Sequence, residues 1–124
     1  MLKELLYVGL GGAVGSIFRF IISRLVIKFV SIEWVFAGTF AVNITGCFLI
    51  GLLSGWMLTH QPDNQTFRLL LIVGFCGGYT TFSTFAFENL RLIQTNQWGL
   101  FAFYTITSVV LGLISVWAGM KLTH

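Results

Sequence analysis

The sequence predicts an all-α membrane protein of four spanning helices with a break in the third, and three observations carry that reading. Hydrophobic residues make up 56% of the 124 and charged residues 9%, with a mean hydropathy of +0.90. Soluble domains carry about 25% charge, so a soluble or disordered chain is excluded. The charges also stand singly at the ends of long apolar runs, and in the third run a glycine pair is followed by threonines, which make a poor helix.

The charges serve as rulers. Between Glu33 and Asp63 lie 29 residues without a formal charge, between Arg68 and Glu88 lie 19, and between Arg91 and Lys121 another 29. About 20 residues suffice to cross a bilayer. The first run is shorter, 14 residues from Leu5 to Phe18, but its apolar pattern continues past Arg19 through Leu25-Val26-Ile27. It reads as a spanning helix with Arg19 embedded in it, not a signal peptide, because Lys3-Glu4 is a weak charged start and no small-x-small cleavage site follows. The expected helices are 4–29, 34–59, 67–94 and 97–121, forming one domain over 1–124, with His60-Gln61-Pro62-Asp63-Asn64 as the clearest loop.

Four spans put both termini on one side of the membrane. Lys3, Arg68 and Lys121 then lie on the terminal side and Arg24, Lys28 and Arg91 on the other. Orientation follows the Lys/Arg asymmetry of short loops, and three against three gives no instruction. Insertion in both orientations is therefore open to the chain and would give an antiparallel homodimer; an ordinary single topology set by other factors is the alternative. Two chains would supply the inverted repeat that larger transporters carry in one. The same single-charge pattern gives no basic patch for nucleic acid despite a formal charge of +3.

In the first helix Gly9, Gly12, Ser16, Arg19 and Ser23 share a face. A guanidinium inside a span faces a bundle interior or a water-filled cavity, so Arg19 is a candidate for drawing an anion into a vestibule; snorkelling or a helix-end salt bridge is the alternative. Gly11/Gly15 and Gly51/Gly55 are small-xxx-small pairs that serve packing. The second helix places Thr39, Asn43 and Gly46 on one face. The amide of Asn43 has two N–H donors that either hold an anion or make an interhelical hydrogen bond. Cys47 and Cys76, in apolar runs and without metal or redox spacing, read as buried free thiols.

The third segment, Gly74-Phe75-Cys76-Gly77-Gly78-Tyr79-Thr80-Thr81-Phe82-Ser83-Thr84-Phe85, is the informative one. Its two adjacent glycines followed by β-branched threonines predict a mid-span break. Non-helical backbone at that depth survives only when buried in protein or turned to a cavity, and broken helices are where transporters place ion sites. Exposed carbonyls suit a hard cation such as Na+, and the amides opening the next half-helix suit an anion. Phe82 and Phe85 project from one face just after the break; a core stripe is the default reading of such a pair, and the alternative is that the positive edges of their rings meet a dehydrated anion. Hydroxyls of Thr80, Thr81, Ser83 and Thr84 surround them. In the fourth helix Tyr104, Ser108, Gly112, Ser115 and Gly119 make another small or hydroxylic face. No carboxylate sits in the middle of a span, which argues against proton-coupled export; Glu88 comes at the end of the third run and receives no role.

Gly11 through Arg19, Gly38-Thr39 through Asn43 to Gly46, and Gly74 through Gly77-Gly78 to Phe85 resemble the CrcB/Fluc fluoride channels, over the whole chain and without departure in the three motifs. The resemblance implies a dual-topology homodimer in a bacterial inner membrane, with two pores for passive fluoride efflux. It also implies a structural, untransported Na+ held by the backbone carbonyls of Gly77 and Thr80. Asn43 becomes a fluoride donor, Phe82 and Phe85 the aromatic lining, Tyr104 and Ser108 a polar track, and Arg19, Thr39, Thr81, Ser83 and Thr84 vestibule or supporting residues. The implied protein is no enzyme, and nothing resembles a nucleotide-binding motif. The competing classes are a small dual-topology exporter, which needs a carboxylate in its first helix where this chain has only Glu4 at the start, and a structural subunit of a larger complex.

Overall fold

The computed structural model describes residues 1–31 and 34–124. Glu33, one of the charges used above as a ruler, lies outside the described residues. Four helices are long and apolar enough to cross a membrane: α1 (Leu2–Phe29), α2 (Ala37–His60), a third span over Gln65–Gln94 and a last one over Trp98–Thr123. The third span is two helices, α3 (residues 65–79) and α4 (Phe82–Gln94); Trp98–Thr123 is α5. Apolar side chains such as Leu10, Ile17, Val109, Leu113 and Trp117 stay exposed along the outer faces, as expected of helices solvated by lipid tails rather than water.

Helices in lipid gain little from hydrophobic burial against one another, so close packing must hold them, and small residues permit it. α1 lies along α3 and α2 along α5. At the first seam Gly11 and Gly15 face the backbone of α3: a methyl group on Gly15 would come within 2.9 Å of the Tyr79 nitrogen and 3.0 Å of the Phe75 carbonyl carbon. Gly78 answers from α3, where a methyl group would stand 3.0 Å from Gly12 Cα. At the second seam Gly51 and Gly55 of α2 meet the Val116 and Met120 backbone of α5, and Gly119 meets that of Gly51 and Leu52.

The turns are closed by side chains. Asn64 Oδ1 accepts from the Phe67 N–H at 2.9 Å, capping α3, and the ring of Trp56 stacks on His60 and Phe67 across the same hairpin. Between α4 and α5, Asn96 adopts φ 60°, a left-handed conformation that asparagine tolerates better than most residues.

The break in the third span falls within the expected motif, on its threonines and not on its glycines. Gly77 has φ −63° and ψ −37°, and residues Gly77–Tyr79 remain helical. The chain leaves the helix at Thr80 (φ −88°, ψ 157°) and Thr81 (φ −147°, ψ 118°). The glycines are there for space: Gly78 lets α1 approach, while Gly77 has nothing within 4 Å of its missing side chain and faces open room. The β-branched threonines make the extended step, for which their side chains are suited. The segment before the break, Arg68–Cys76, is wound as a π-helix. The charge pattern gave no sign of it, and π-turns within helices concentrate near functional sites.

Candidate functional site

Three elements converge at the break. α2 brings Asn43, whose side-chain amide pairs with the backbone of Thr81 in both directions: Asn43 Nδ2 donates to the Thr81 carbonyl at 3.0 Å, and the Thr81 N–H donates to Asn43 Oδ1 at 2.7 Å. The interhelical alternative is therefore the one the fold uses, and one N–H of the Asn43 amide remains beyond this pair. The Thr81 hydroxyl accepts from the Thr84 N–H at 3.2 Å, capping α4, and lies 3.1 Å from the Thr84 hydroxyl and 3.4 Å from that of Ser83. The Thr80 N–H and hydroxyl both donate to the Cys76 carbonyl, at 3.1 and 2.9 Å, closing α3.

Gly46, one turn beyond Asn43, holds the break against α2, because a side chain there would overlap the Thr80 methyl and stand 3.1 Å from the Tyr79 ring. Buried Tyr79 shares a 2.8 Å hydrogen bond with Thr45. Together these contacts fix an irregular backbone in hydrocarbon, where unpaired polar groups are costly.

A cavity of about 560 Å³ lies beside the break, lined by Asn43, Thr80, Phe82, Phe85 and Ser108 among mostly apolar neighbours that include Cys47 and Cys76. Both cysteines are free thiols. Phe85 packs edge-on against Tyr104 with ring centres 5.0 Å apart, and Phe82 lies 5.9 Å from Phe85. Phe82 is 80% exposed. Ser108 Oγ is buried and has no hydrogen-bond partner among the described residues.

A second cavity of about 280 Å³ is more polar, lined by Ser16, Arg19, Ser23, Thr39, Thr81 and Thr84 together with Phe20 and Val42. The structure thus gathers Arg19, Thr39, Thr81 and Thr84, four sequence candidates from three helices, around one space. Thr81 lines both cavities.

Sequence reasoning left Glu88 at the end of its run, without a role. In the fold its span ends at Gln94, as the expected helix 67–94 does, and the carboxylate turns inward to accept from the Thr39 hydroxyl at 2.9 Å and the Tyr104 hydroxyl at 2.8 Å. Buried Tyr104 thereby spends its proton on Glu88, and its oxygen is left as an acceptor. Sequence reasoning also passed over Asn89. It is buried, donates to the Phe85 carbonyl at 3.1 Å and accepts from the Thr105 hydroxyl at 3.3 Å, tying α4 to α5. The available signal was the amide itself, a polar group one position past the last charge of an apolar run.

The arrangement offers what an ion in transit needs, scattered donors, ring edges and hydroxyls, each of them weak. Comparison with known proteins agrees. The family described as "CrcB-like protein, Camphor Resistance (CrcB)" matches residues 6–120. The chain is 40% identical to the fluoride-specific ion channel FluC of Flavobacterium psychrophilum, over 96% of its own length and 95% of the relative's. It is 37% identical to FluC of Azobacteroides pseudotrichonymphae over 100% and 98% of the two chains, and 43% identical to FluC of Pseudomonas fluorescens over 99% and 98%. With four membrane-length helices, a family match across nearly its whole length and relatives that are ion channels and not enzymes, this multi-pass membrane protein belongs to the CrcB/FluC family.

Proposed function

We propose that the chain forms a fluoride-selective channel of the bacterial inner membrane, through which fluoride leaves the cytoplasm passively. The relatives' names point to the ion, and one observation carries the reading at the site: Ser108, whose hydroxyl is buried without a hydrogen-bond partner among the described residues, is one of the residues lining the same cavity as Asn43, Phe82 and Phe85. A buried donor left unpaired costs about 1–3 kcal/mol. Turned into the cavity, this hydroxyl would donate to an anion, or to the water the anion displaces, and so relieve that cost. Asn43 adds its remaining N–H, and the rings of Phe82 and Phe85 add positive edges.

These sites are individually weak, which suits conduction, since an ion must be attracted out of water and still released. Tyr104 serves the pathway through its ring, against which Phe85 rests, and Glu88 holds its hydroxyl. The cavity of Arg19, Thr39, Thr81 and Thr84, with Ser83 beside it, is the electropositive entrance. Hydrogen fluoride crosses lipid as a neutral acid and ionises in a near-neutral cytoplasm, so a passive path for the trapped anion lowers its concentration without ATP.

The functional unit is an antiparallel homodimer of single four-helix domains spanning 1–124. Equal numbers of basic residues on the two sides support both orientations, and the exposed Phe82 supports a second chain over this flank. A structural Na+, not transported, fits the donors at the break. The Thr81 N–H, which would reach the Gly77 carbonyl in a continuous helix, goes to Asn43, and the Thr84 N–H, which would reach that of Thr80, goes to the Thr81 hydroxyl. Neither carbonyl receives a hydrogen bond among the described residues. Oxygen dipoles of this kind replace the water shell of an alkali cation; a second chain doubles the set, and the bound charge would fix the two breaks to each other.

Liposomes holding only the purified protein should release fluoride rapidly once charge is compensated, as read with a fluoride electrode, while chloride-loaded vesicles retain their content. Equal release of both ions, or of neither, would remove the reading. Exchanging Na+ for a large organic cation throughout purification should lower both the dimer fraction and the efflux. Unchanged dimer and efflux would count against the carbonyl site.

A further inference from the structure

We propose that Asn43 is the positioning residue of the helix break: its amide takes both backbone groups of Thr81 out of the helical ladder and thereby releases the Gly77 carbonyl toward the cavity. In an unbroken helix the Thr81 N–H would donate to Gly77 and the Thr81 carbonyl would accept from Phe85. Asn43 Oδ1 takes the first at 2.7 Å and Asn43 Nδ2 satisfies the second at 3.0 Å, so the break leaves neither Thr81 group orphaned. The pairing copies the exchange of two hydrogen bonds between strand residues, with a side chain standing in for one strand.

The residue type follows from the chemistry. A primary amide alone offers an acceptor and a donor side by side; a carboxylate only accepts, and a single hydroxyl spans both poorly. The pairing also fixes which way the amide points, because a flipped side chain would set N–H against N–H and oxygen against oxygen. Three residues on, Gly46 leaves the gap into which the Thr80 methyl fits, so one face of α2 presents both a template and a recess for the extended step. The Thr81 hydroxyl, capping α4, spends the last polar group of that residue. Asn43 thus acts on the main chain as well as lining the cavity. Its bearing on a cation rests on the channel reading above, whereas its hold on Thr81 does not.

The test uses the full-length protein in detergent micelles, isotopically labelled, and follows the Thr81 amide exchange rate and its Cα and Cβ shifts by NMR. Asn43→Ala should speed Thr81 exchange about tenfold, as expected for losing one intramolecular hydrogen bond. Asn43→Asp, measured at a pH low enough to keep its side chain protonated, retains an acceptor and gains an O–H donor in place of the amide N–H, and should hold exchange within about threefold of the parent at the same pH. A Thr81 amide that stays protected in Asn43→Ala but takes helical shifts also supports the proposal, since the freed N–H has then returned to Gly77. Protection with the parent's extended shifts in Asn43→Ala would overturn it. Should the alanine variant fail to assemble, the aspartate variant decides: a Thr81 amide as open as those of the loops overturns the proposal, and a protected one supports it. Melting in Na+ against a large organic cation forms the second arm. A Na+-dependent rise should appear in the parent and Asn43→Asp and vanish in Asn43→Ala. A parent without that rise would end the cation reading alone, and the Thr81 signals would still decide the role of Asn43.

Discussion

Valine in place of Gly15 is expected to abolish the folded protein. The first atom of any side chain there would stand 2.9 Å from the Tyr79 nitrogen and 3.0 Å from the Phe75 carbonyl carbon, and would overlap the Phe75 carbonyl oxygen. All three belong to backbone, which cannot rotate away as a side chain can, so α1 and α3 would have to separate along the seam that Gly11 and Gly78 also form. Overpacking commonly costs about 1–3 kcal/mol, and a branched residue against main chain lies at or above the top of that range. Helix association in lipid has little else to draw on. Gly9 lies on the same helix with nothing within 4 Å, so Gly9→Ala is the control and should purify like the parent. Size-exclusion profiles of the two variants settle the matter: a normal Gly15→Val peak would mean that this seam is looser than described.

Isoleucine in place of Phe85 should lower fluoride efflux tenfold or more while leaving the assembled protein intact. The Phe85 ring touches Tyr104 edge-on at 5.0 Å and lines the larger cavity with Asn43 and Ser108. Isoleucine fills a comparable volume, so the packing loss is modest, but it has no positive ring edge to set against an anion. A tenfold loss corresponds to about 1.4 kcal/mol, within what an aromatic contact supplies. Phe87, 65% exposed and outside both cavities, provides the comparison: Phe87→Ile should conduct within about twofold of the parent. Equal efflux from the two variants would move the pathway away from Phe85.

The layout of four spans was legible because a bilayer imposes a length and charges mark its edges. The interruption of the third span and the motif that holds it were legible too, since glycines and threonines weaken a helix; which of those residues leave the helix was not. Sequence pattern weighs glycine as a helix breaker, while at Gly78 the fold uses its small size to admit α1, and the extended step falls to Thr80 and Thr81. The polar pairs were the least legible. Asn43 meets Thr81 across 38 residues and Thr39 meets Glu88 across 49, and helical periodicity assigns residues to faces without saying which faces meet. The same limit hid Glu88, whose inward turn depends on two hydroxyls from other helices, and the π-helical winding of Arg68–Cys76, which no composition rule distinguishes from an ordinary apolar helix.

The most direct test of the central claim is the reversal potential of the purified protein in a planar bilayer with unequal fluoride on the two sides and chloride balanced. Current should reverse at the fluoride equilibrium potential and stay there when a chloride gradient is added. A reversal that follows chloride or protons, or no current without a further energy source, would contradict it.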